Sequence, residues 1–126
     1  MTLTWKRCLT YEDARNYTGI VYLHEWNDKP FYWGKAQKSY FGGHMRTYNE
    51  GKISGRYNVG YRHWIEGCLR HGAKLYIAIL DQKALSAISA VENYLIATYP
   101  SDMNTKVLKP IQLVLAHEGD VPASLT

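Results

Sequence analysis

The sequence contains little cysteine, no long apolar run and none of the glycine-rich loops that bind nucleotides. Its two cysteines, Cys8 and Cys68, are too few for a disulfide framework, which predicts reduced thiols and a cytoplasmic protein. No apolar run approaches the roughly 20 residues of a membrane helix, so we expect no membrane partner. The first residues contain no apolar core of a secretory signal. Neither G-x-x-x-x-G-K-S/T nor G-x-G-x-x-G occurs, which argues against the usual nucleotide-binding loops.

The length and composition are those of a compact globular chain. Of its 126 residues, 46% are hydrophobic and 21% are charged, which predicts one domain over residues 1–126 with a buried core. Within this domain we interpret residues 1–17 as an N-terminal leader and residues 107–126 as a C-terminal extension. The sequence shows no internal repeat and no low-complexity stretch.

Acidic residues are scarce between Lys29 and His63, where Glu50 is the only one. The same stretch has seven basic residues: Lys29, Lys35, Lys38, Arg46, Lys52, Arg56 and Arg62. It also holds five of the eleven tyrosines: Tyr32, Tyr40, Tyr48, Tyr57 and Tyr61. Basic side chains interleaved with aromatic rings suit a nucleic-acid backbone, although a solvated basic loop has the same pattern. Both interpretations stay open on composition alone.

Local patterns predict an α/β fold with a small three-stranded antiparallel sheet flanked by helices. Thr10 is a predicted N-cap of a short helix in the leader, and a β-hairpin follows over residues 19–34. The other predicted elements, in chain order, are a helix over 44–49, a mobile loop over 51–60, a helix over 60–69 ended by Gly72, a strand over 74–80, a helix from 81 or 82 to 98, a strand or helix over 111–115 and a loose tail over 122–126.

The hairpin register is predicted from the turn at residues 27–30. If Trp26 lies opposite Pro30, His24 faces Tyr32 and Tyr22 faces Gly34. The two tyrosines then share one face of the hairpin as diagonal neighbours. Gly34 opposite Tyr22 would leave open space for a backbone or a ligand.

Glu92 interrupts the apolar stripe of the last long helix. That stripe consists of Leu85, Ile88, Val91, Leu95 and Tyr99. A carboxylate on the core side of a helix is costly to desolvate unless it is paired or binds a cation. Glu92 therefore either reaches water at the edge of the stripe, pairs with a basic residue of the 29–63 region, or serves as an oxygen ligand for Mg²⁺ or Mn²⁺.

Two tyrosine-bearing runs resemble the motifs that name the GIY-YIG endonuclease family. They are Ile20-Val21-Tyr22 and, after a nine-residue spacer, Tyr32-Trp33-Gly34-Lys35-Ala36. The segment around Glu92 resembles the catalytic glutamate segment of that family, and Asn104 resembles the asparagine that often follows it. The order of predicted elements is similar over residues 18–106. The first motif departs from the plain form, because Gly19 lies one place further from the tyrosine.

The resemblance implies a role for each matching position. Tyr22 and Tyr32 would lie in the active site, where Tyr22 orients or deprotonates the attacking water. Arg46 would bind the scissile phosphate, and Tyr48 would assist proton transfer. Glu92 would hold one divalent cation, Mg²⁺ or Mn²⁺. The remaining implied contacts to nucleic acid are Lys35, Lys38, His44, Arg56, Arg62 and Asn104. His44 stands where the family has its arginine, and Arg56 and Arg62 are alternatives to Arg46.

The implied activity is metal-dependent hydrolysis of DNA phosphodiester bonds. The enzyme would be of the restriction, mobile-element or repair type, and a restriction-type enzyme would need a homodimer to cut both strands. A nucleic-acid-binding module of the same fold without cleavage is the alternative. In a further alternative, the tyrosines and Glu92 are only core residues of a structural domain.

Overall fold

The protein has a five-stranded mixed β-sheet with the strand order β3-β2-β4-β1-β5. In this computed structural model, residues 1–37, 41, 62–104, 109 and 112–126 are described. The strands are β1 Thr2–Cys8, β2 Ile20–Trp26, β3 Lys29–Ala36, β4 Lys74–Leu80 and β5 Ala116–Gly119. The helices are α1 Tyr11–Ala14, α2 over residues 62–70, α3 Gln82–Ser86 and α4 Ile88–Thr98, with a 3-10 turn at Ala123–Leu125. The predicted three-stranded antiparallel sheet is therefore wrong, since β1 and β5 extend it.

Strand β1, which the sequence analysis did not predict, lies inside the sheet. It pairs antiparallel with β4, where Trp5 lies opposite Ala78, and parallel with β5, where Trp5 lies opposite Gly119. Leu3 and Trp5 are buried on one face, while the intervening Thr4 is exposed. This alternation is the period-two pattern of a strand, and the parallel β1–β5 pair makes the sheet mixed.

The central strands β2 and β4 are buried on both faces and separate two hydrophobic cores. We call the face that carries Tyr22 and Tyr32 the tyrosine face. We call the opposite face, which carries Leu23 and Trp33, the α4 face, because it packs against α4 through Val91 and Leu95. On the α4 face, Trp5 and Trp33 meet edge to face with ring centroids 6.1 Å apart. The tyrosine face packs against α1 and α2 through Tyr11 and Ile65.

The helix predicted from residue 81 or 82 to residue 98 is divided in two at Ala87. Asp81 caps α3, since its side chain accepts a hydrogen bond from the Ala84 backbone N–H. Because of this break, the apolar stripe of α4 does not continue onto the predicted position in α3, where Ala84 is buried and Leu85 is 44% exposed. The predicted stripe is correct from Ile88 onward and wrong at Leu85.

Two other predicted helix boundaries are confirmed. Thr10 is the N-cap of α1 and forms a capping box with Asp13. Gly72 follows α2 with a φ of +94°, a left-handed conformation that favours glycine at a helix end. These elements cover the tyrosine face.

The C-terminal residues pack against the sheet instead of forming a loose tail. Residues 112–115 are in neither helix nor strand, so the predicted element over 111–115 is displaced to β5. Beyond β5, the Ser124 backbone N–H and hydroxyl both donate to Glu25 Oε2, at 3.1 and 2.8 Å. Glu25 is fully buried on β2. Its other oxygen, Oε1, has no hydrogen-bond partner in the described part of the chain.

Candidate active site

The two motif tyrosines lie side by side on the tyrosine face. Tyr22 is opposite Gly34 and His24 is opposite Tyr32, as predicted. The ring centroids of Tyr22 and Tyr32 are 6.2 Å apart. The predicted pairing of Trp26 with Pro30 is wrong, because the register shifts between His24 and Glu25. This shift leaves the tyrosine pair in place, since it lies beyond His24 toward the hairpin turn.

The space opposite Tyr22 is filled by the tyrosine itself. A Cβ placed on Gly34 would collide with the Cζ, hydroxyl and Cε2 atoms of the Tyr22 ring. Gly34 therefore allows this ring to lie against the β3 backbone, where another residue would displace it. The prediction of open space for a ligand at this point is wrong.

His24 lies beside both tyrosines on the same face, and the sequence analysis assigned it no role. Its ring centroid is 5.8 Å from that of Tyr22 and 6.2 Å from that of Tyr32. The side chain is 1% exposed, and its Nε2 has no hydrogen-bond partner among the described residues. Burial lowers the pKa of His24 to about 4, so the imidazole is neutral at physiological pH. The signal for it was its place two residues after Tyr22, which puts both side chains on one face.

Two aromatic residues cover the tyrosine face. Phe41 is buried and meets Tyr22 edge to face, with centroids 4.8 Å apart. Trp64, on α2, meets His24 at 4.9 Å and Tyr32 at 6.4 Å, both edge to face. Sequence reasoning missed both residues, because Phe41 follows β3 by five residues outside any predicted strand or helix, and Trp64 lies far along the chain from the hairpin. Together they make this face an aromatic site around one imidazole.

Glu92 lies on α4, which packs on the other face of the sheet. Its Oε1 is 3.9 Å from the Lys35 ammonium, and its side chain is 17% exposed. The same Lys35 Nζ donates a 2.6 Å hydrogen bond to Ser89 Oγ. Since side chains alternate along β3, Lys35 and Tyr32 project from opposite faces. The ion pair with a basic residue of the 29–63 region, one of the three predicted situations, is present.

Asn104 is hydrogen-bonded to β3, the edge strand of the sheet. Its Oδ1 accepts a 2.8 Å hydrogen bond from the Trp33 backbone N–H, and its Nδ2 donates at 3.0 Å to the Trp33 carbonyl. The amide side chain thus takes the place of a neighbouring strand at this point of β3. This position fixes the loop over residues 101–104 to the sheet.

Arg62 connects the two helices that cover the tyrosine face. Its guanidinium is 2.8 Å from a Glu12 oxygen and 2.6 Å from a Glu66 oxygen. The guanidinium also lies over the Tyr11 ring at 4.8 Å. The hydrogen bond to Glu66 raises the pKa of Arg62, and the two carboxylates partly neutralise its charge. Five other predicted site residues lie outside the described residues, namely Lys38, His44, Arg46, Tyr48 and Arg56.

Histidine, cysteine and acidic side chains form no cage for a cation in the described part of the chain. Within the described ranges, no group of three or more histidine, cysteine or acidic side chains could hold a metal ion. Mg²⁺ commonly takes one or two carboxylates and completes its shell with waters and phosphate oxygens. A single glutamate such as Glu92, which lies 3.9 Å from the Lys35 ammonium, fits that mode.

Comparisons of the chain with protein-family models, with curated proteins and with solved structures gave no match. In the part of the chain that the structure describes, no helix has the length and apolar character needed to cross a bilayer. The function is therefore inferred from the site and from the motifs.

Proposed function

We propose that this chain is a metal-dependent endonuclease that hydrolyses DNA phosphodiester bonds. The observation that carries the proposal is the tyrosine pair: two phenols on adjacent strands, 6.2 Å apart between ring centroids, in the two runs that resemble the GIY-YIG motifs. The basic excess between residues 29 and 63 supports a polyanionic substrate. A restriction-type enzyme of this kind would act as a homodimer.

The chemistry assigned to the chain is attack of water on a phosphodiester. Tyr22 orients that water through its hydroxyl or, after losing its own proton to solvent, accepts the water's proton as a phenolate, and Tyr32 lies beside it on the same face. The imidazole of His24 is neutral and adds no positive charge beside the two phenols. Arg46 is assigned to the scissile phosphate because the family resemblance requires one arginine, with Arg56 as the alternative. Arg62 is ranked below both, since Glu12 and Glu66 already bind its guanidinium.

Glu92 is the residue proposed to hold Mg²⁺ or Mn²⁺. The ion would offset the negative charge that develops on the leaving oxygen. Lys35 lies 3.9 Å from the Glu92 carboxylate and keeps its shorter contact with Ser89, so it can release the carboxylate without losing all its partners. This assignment requires the ion and Tyr22 to reach the same phosphodiester although α4 packs on the face opposite to the tyrosines, so it can fail while the tyrosine assignment holds.

The alternative is a DNA-binding module that does not cleave. One observation in its favour is that α4, with Glu92, packs on the face opposite to Tyr22 and Tyr32. A second is the ion pair with Lys35, because it already compensates the Glu92 charge. A salt-dependent affinity for DNA without any cleavage product would support this alternative.

Plasmid cleavage separates the two candidates. Supercoiled plasmid is incubated with wild type and with Glu92→Gln, in Mg²⁺, in Mn²⁺ and in EDTA. We expect nicking or linearisation by wild type alone, abolished by EDTA, while Glu92→Gln retains its fold and its DNA affinity. Full activity of Glu92→Gln would remove this glutamate from the mechanism.

Tyr22→Phe tests the phenol directly. Loss of a proton-transfer group lowers the rate by about 10²-fold or more. Tyr76→Phe is the matched control, because Tyr76 is buried on the α4 face of the same sheet. Equal activity of both variants would show that the Tyr22 hydroxyl serves packing only.

A further inference from the structure

An aromatic groove with a volume of about 630 Å³ lies between the hairpin and α2. Its apolar walls include Trp26, Phe31 and Trp64. Its polar rim includes three exposed side chains from two segments of the chain: His63, His71 and Asp102. This volume falls in the range of several hundred cubic ångströms that small-molecule sites occupy.

The aromatic walls offer flat surfaces to a planar ligand. Phe31 and Trp64 are stacked, with centroids 5.9 Å apart and planes inclined by 20°. Trp26 is 43% exposed although it is a large apolar residue. Aromatic rings around a groove of this kind suit a third ring, because stacking is favourable for any planar π-system.

The α2 wall contains a glycine with free space above it. A Cβ placed on Gly67 would meet no atom within 4 Å. Glycine inside a helix is about 1 kcal/mol less favourable than alanine, and at this position no steric contact requires it. Glycine is common where a ligand approaches the backbone closely, because it has no side chain.

The groove adjoins the tyrosine face through a single ring. Trp64 stacks on Phe31 in the groove and meets Tyr32 and His24 with its edges on the other side. A ligand in the groove would therefore be one indole away from the tyrosine pair.

We infer that this groove binds an unpaired nucleobase of the DNA substrate, an inference that rests on the proposed endonuclease function. A base is planar and fits the stacked walls, and its ring heteroatoms can pair with the imidazoles and the carboxylate at the rim. An aromatic side chain of a partner protein would use the walls but would leave the rim without hydrogen bonds. The basic excess of residues 29–63 also favours a ligand attached to phosphates.

The test measures nucleotide binding by ligand-observed NMR. The probes are dAMP, deoxyribose 5-phosphate and N-acetylphenylalaninamide, added separately to wild type, Gly67→Leu and Gly67→Ala. Gly67→Leu projects a side chain into the groove, whereas Gly67→Ala adds one methyl group and is the matched control for the helix. We expect binding of dAMP but not of deoxyribose 5-phosphate, with affinity reduced by about tenfold or more in Gly67→Leu, as for lost base stacking.

The outcomes separate this inference from the proposed function. Unchanged dAMP affinity in a folded Gly67→Leu variant, or no dAMP binding by wild type, would overturn the groove assignment even if plasmid is cleaved. Groove-dependent binding of dAMP without cleavage in any metal would support the groove and reject the endonuclease. Preferential binding of N-acetylphenylalaninamide would replace the nucleobase by an aromatic residue of a partner protein.

Discussion

Replacing Ser124 with alanine should destabilise the protein far more than its position near the C-terminus suggests. The Ser124 hydroxyl donates a 2.8 Å hydrogen bond to Glu25 Oε2, and Glu25 is 0% exposed. Hydrogen bonds to charged groups contribute about 1.5–3 kcal/mol. Because Glu25 Oε1 already has no partner in the described ranges, loss of the hydroxyl leaves one backbone N–H on a buried carboxylate. We therefore expect the upper part of that range, about 2–3 kcal/mol.

Urea unfolding followed by circular dichroism measures this loss. With a dependence of about 1–3 kcal/mol per molar urea, the midpoint of Ser124→Ala should fall by about 0.7–3 M. Thr126→Ala is the matched control, since its hydroxyl lies at the same 3-10 turn but donates to the Ala123 backbone carbonyl and is exposed. That control should change stability by no more than about 0.5 kcal/mol. Equal midpoints for the two variants would refute the structural role of the Glu25–Ser124 contact.

Three further predictions concern the two faces of the sheet. Gly34→Ala should lower stability by about 1–3 kcal/mol through collision with the Tyr22 ring, and urea unfolding should show a smaller loss in a Tyr22→Ala background. Stability should fall as the pH drops from about 6.5 to 4. In that range His24 binds a proton in the unfolded chain, whereas in the folded protein burial lowers its pKa to about 4 and keeps it neutral. The contribution is up to about 3 kcal/mol, and a His24→Gln variant with an equally steep pH dependence would contradict it. Asn104→Ala should lose about 1–3 kcal/mol from the two bonds to Trp33, while the folded variant keeps its DNA affinity; a weakened affinity at unchanged stability would instead support a direct DNA contact.

The parts of the fold that could be predicted from sequence are those with local signals. The hairpin and the strand over residues 74–80 carry β-branched and aromatic residues, and Thr10 and Gly72 mark helix ends by their own chemistry. Strand β5 has the sequence Ala-His-Glu-Gly, which contains no strong strand former, so its pairing with β1 is what makes it extended. Lys6 and Arg7 likewise interrupt the apolar pattern of β1. Both strands depend on partners far along the chain.

Of the candidate site, only the residues that share one face of the hairpin could be predicted, because side chains alternate between the two faces of a strand. Alternation placed Tyr22 and Tyr32 on one face, and the same rule places His24 on that face beside them. The alternation of side chains along a strand does not show which face of the sheet a later helix covers. The position of α4 relative to the tyrosines therefore could not be inferred. The partners of Arg62 and Asn104 were also hidden, because each is set by packing between distant segments.

The placement of β1 has a consequence for the order of events during synthesis. Trp5 of this strand is hydrogen-bonded to His117, 112 residues later in the chain. At about 5–20 residues per second, the ribosome needs several seconds or more to deliver β5, whereas a hairpin such as β2–β3 forms within about 1–10 μs. Strand β1 is therefore made before both of its partners, β4 and β5, and Leu3 and Trp5 stay exposed until those strands have been made. During that interval β1 is the segment on which a chaperone, or another nascent chain, would compete with native pairing.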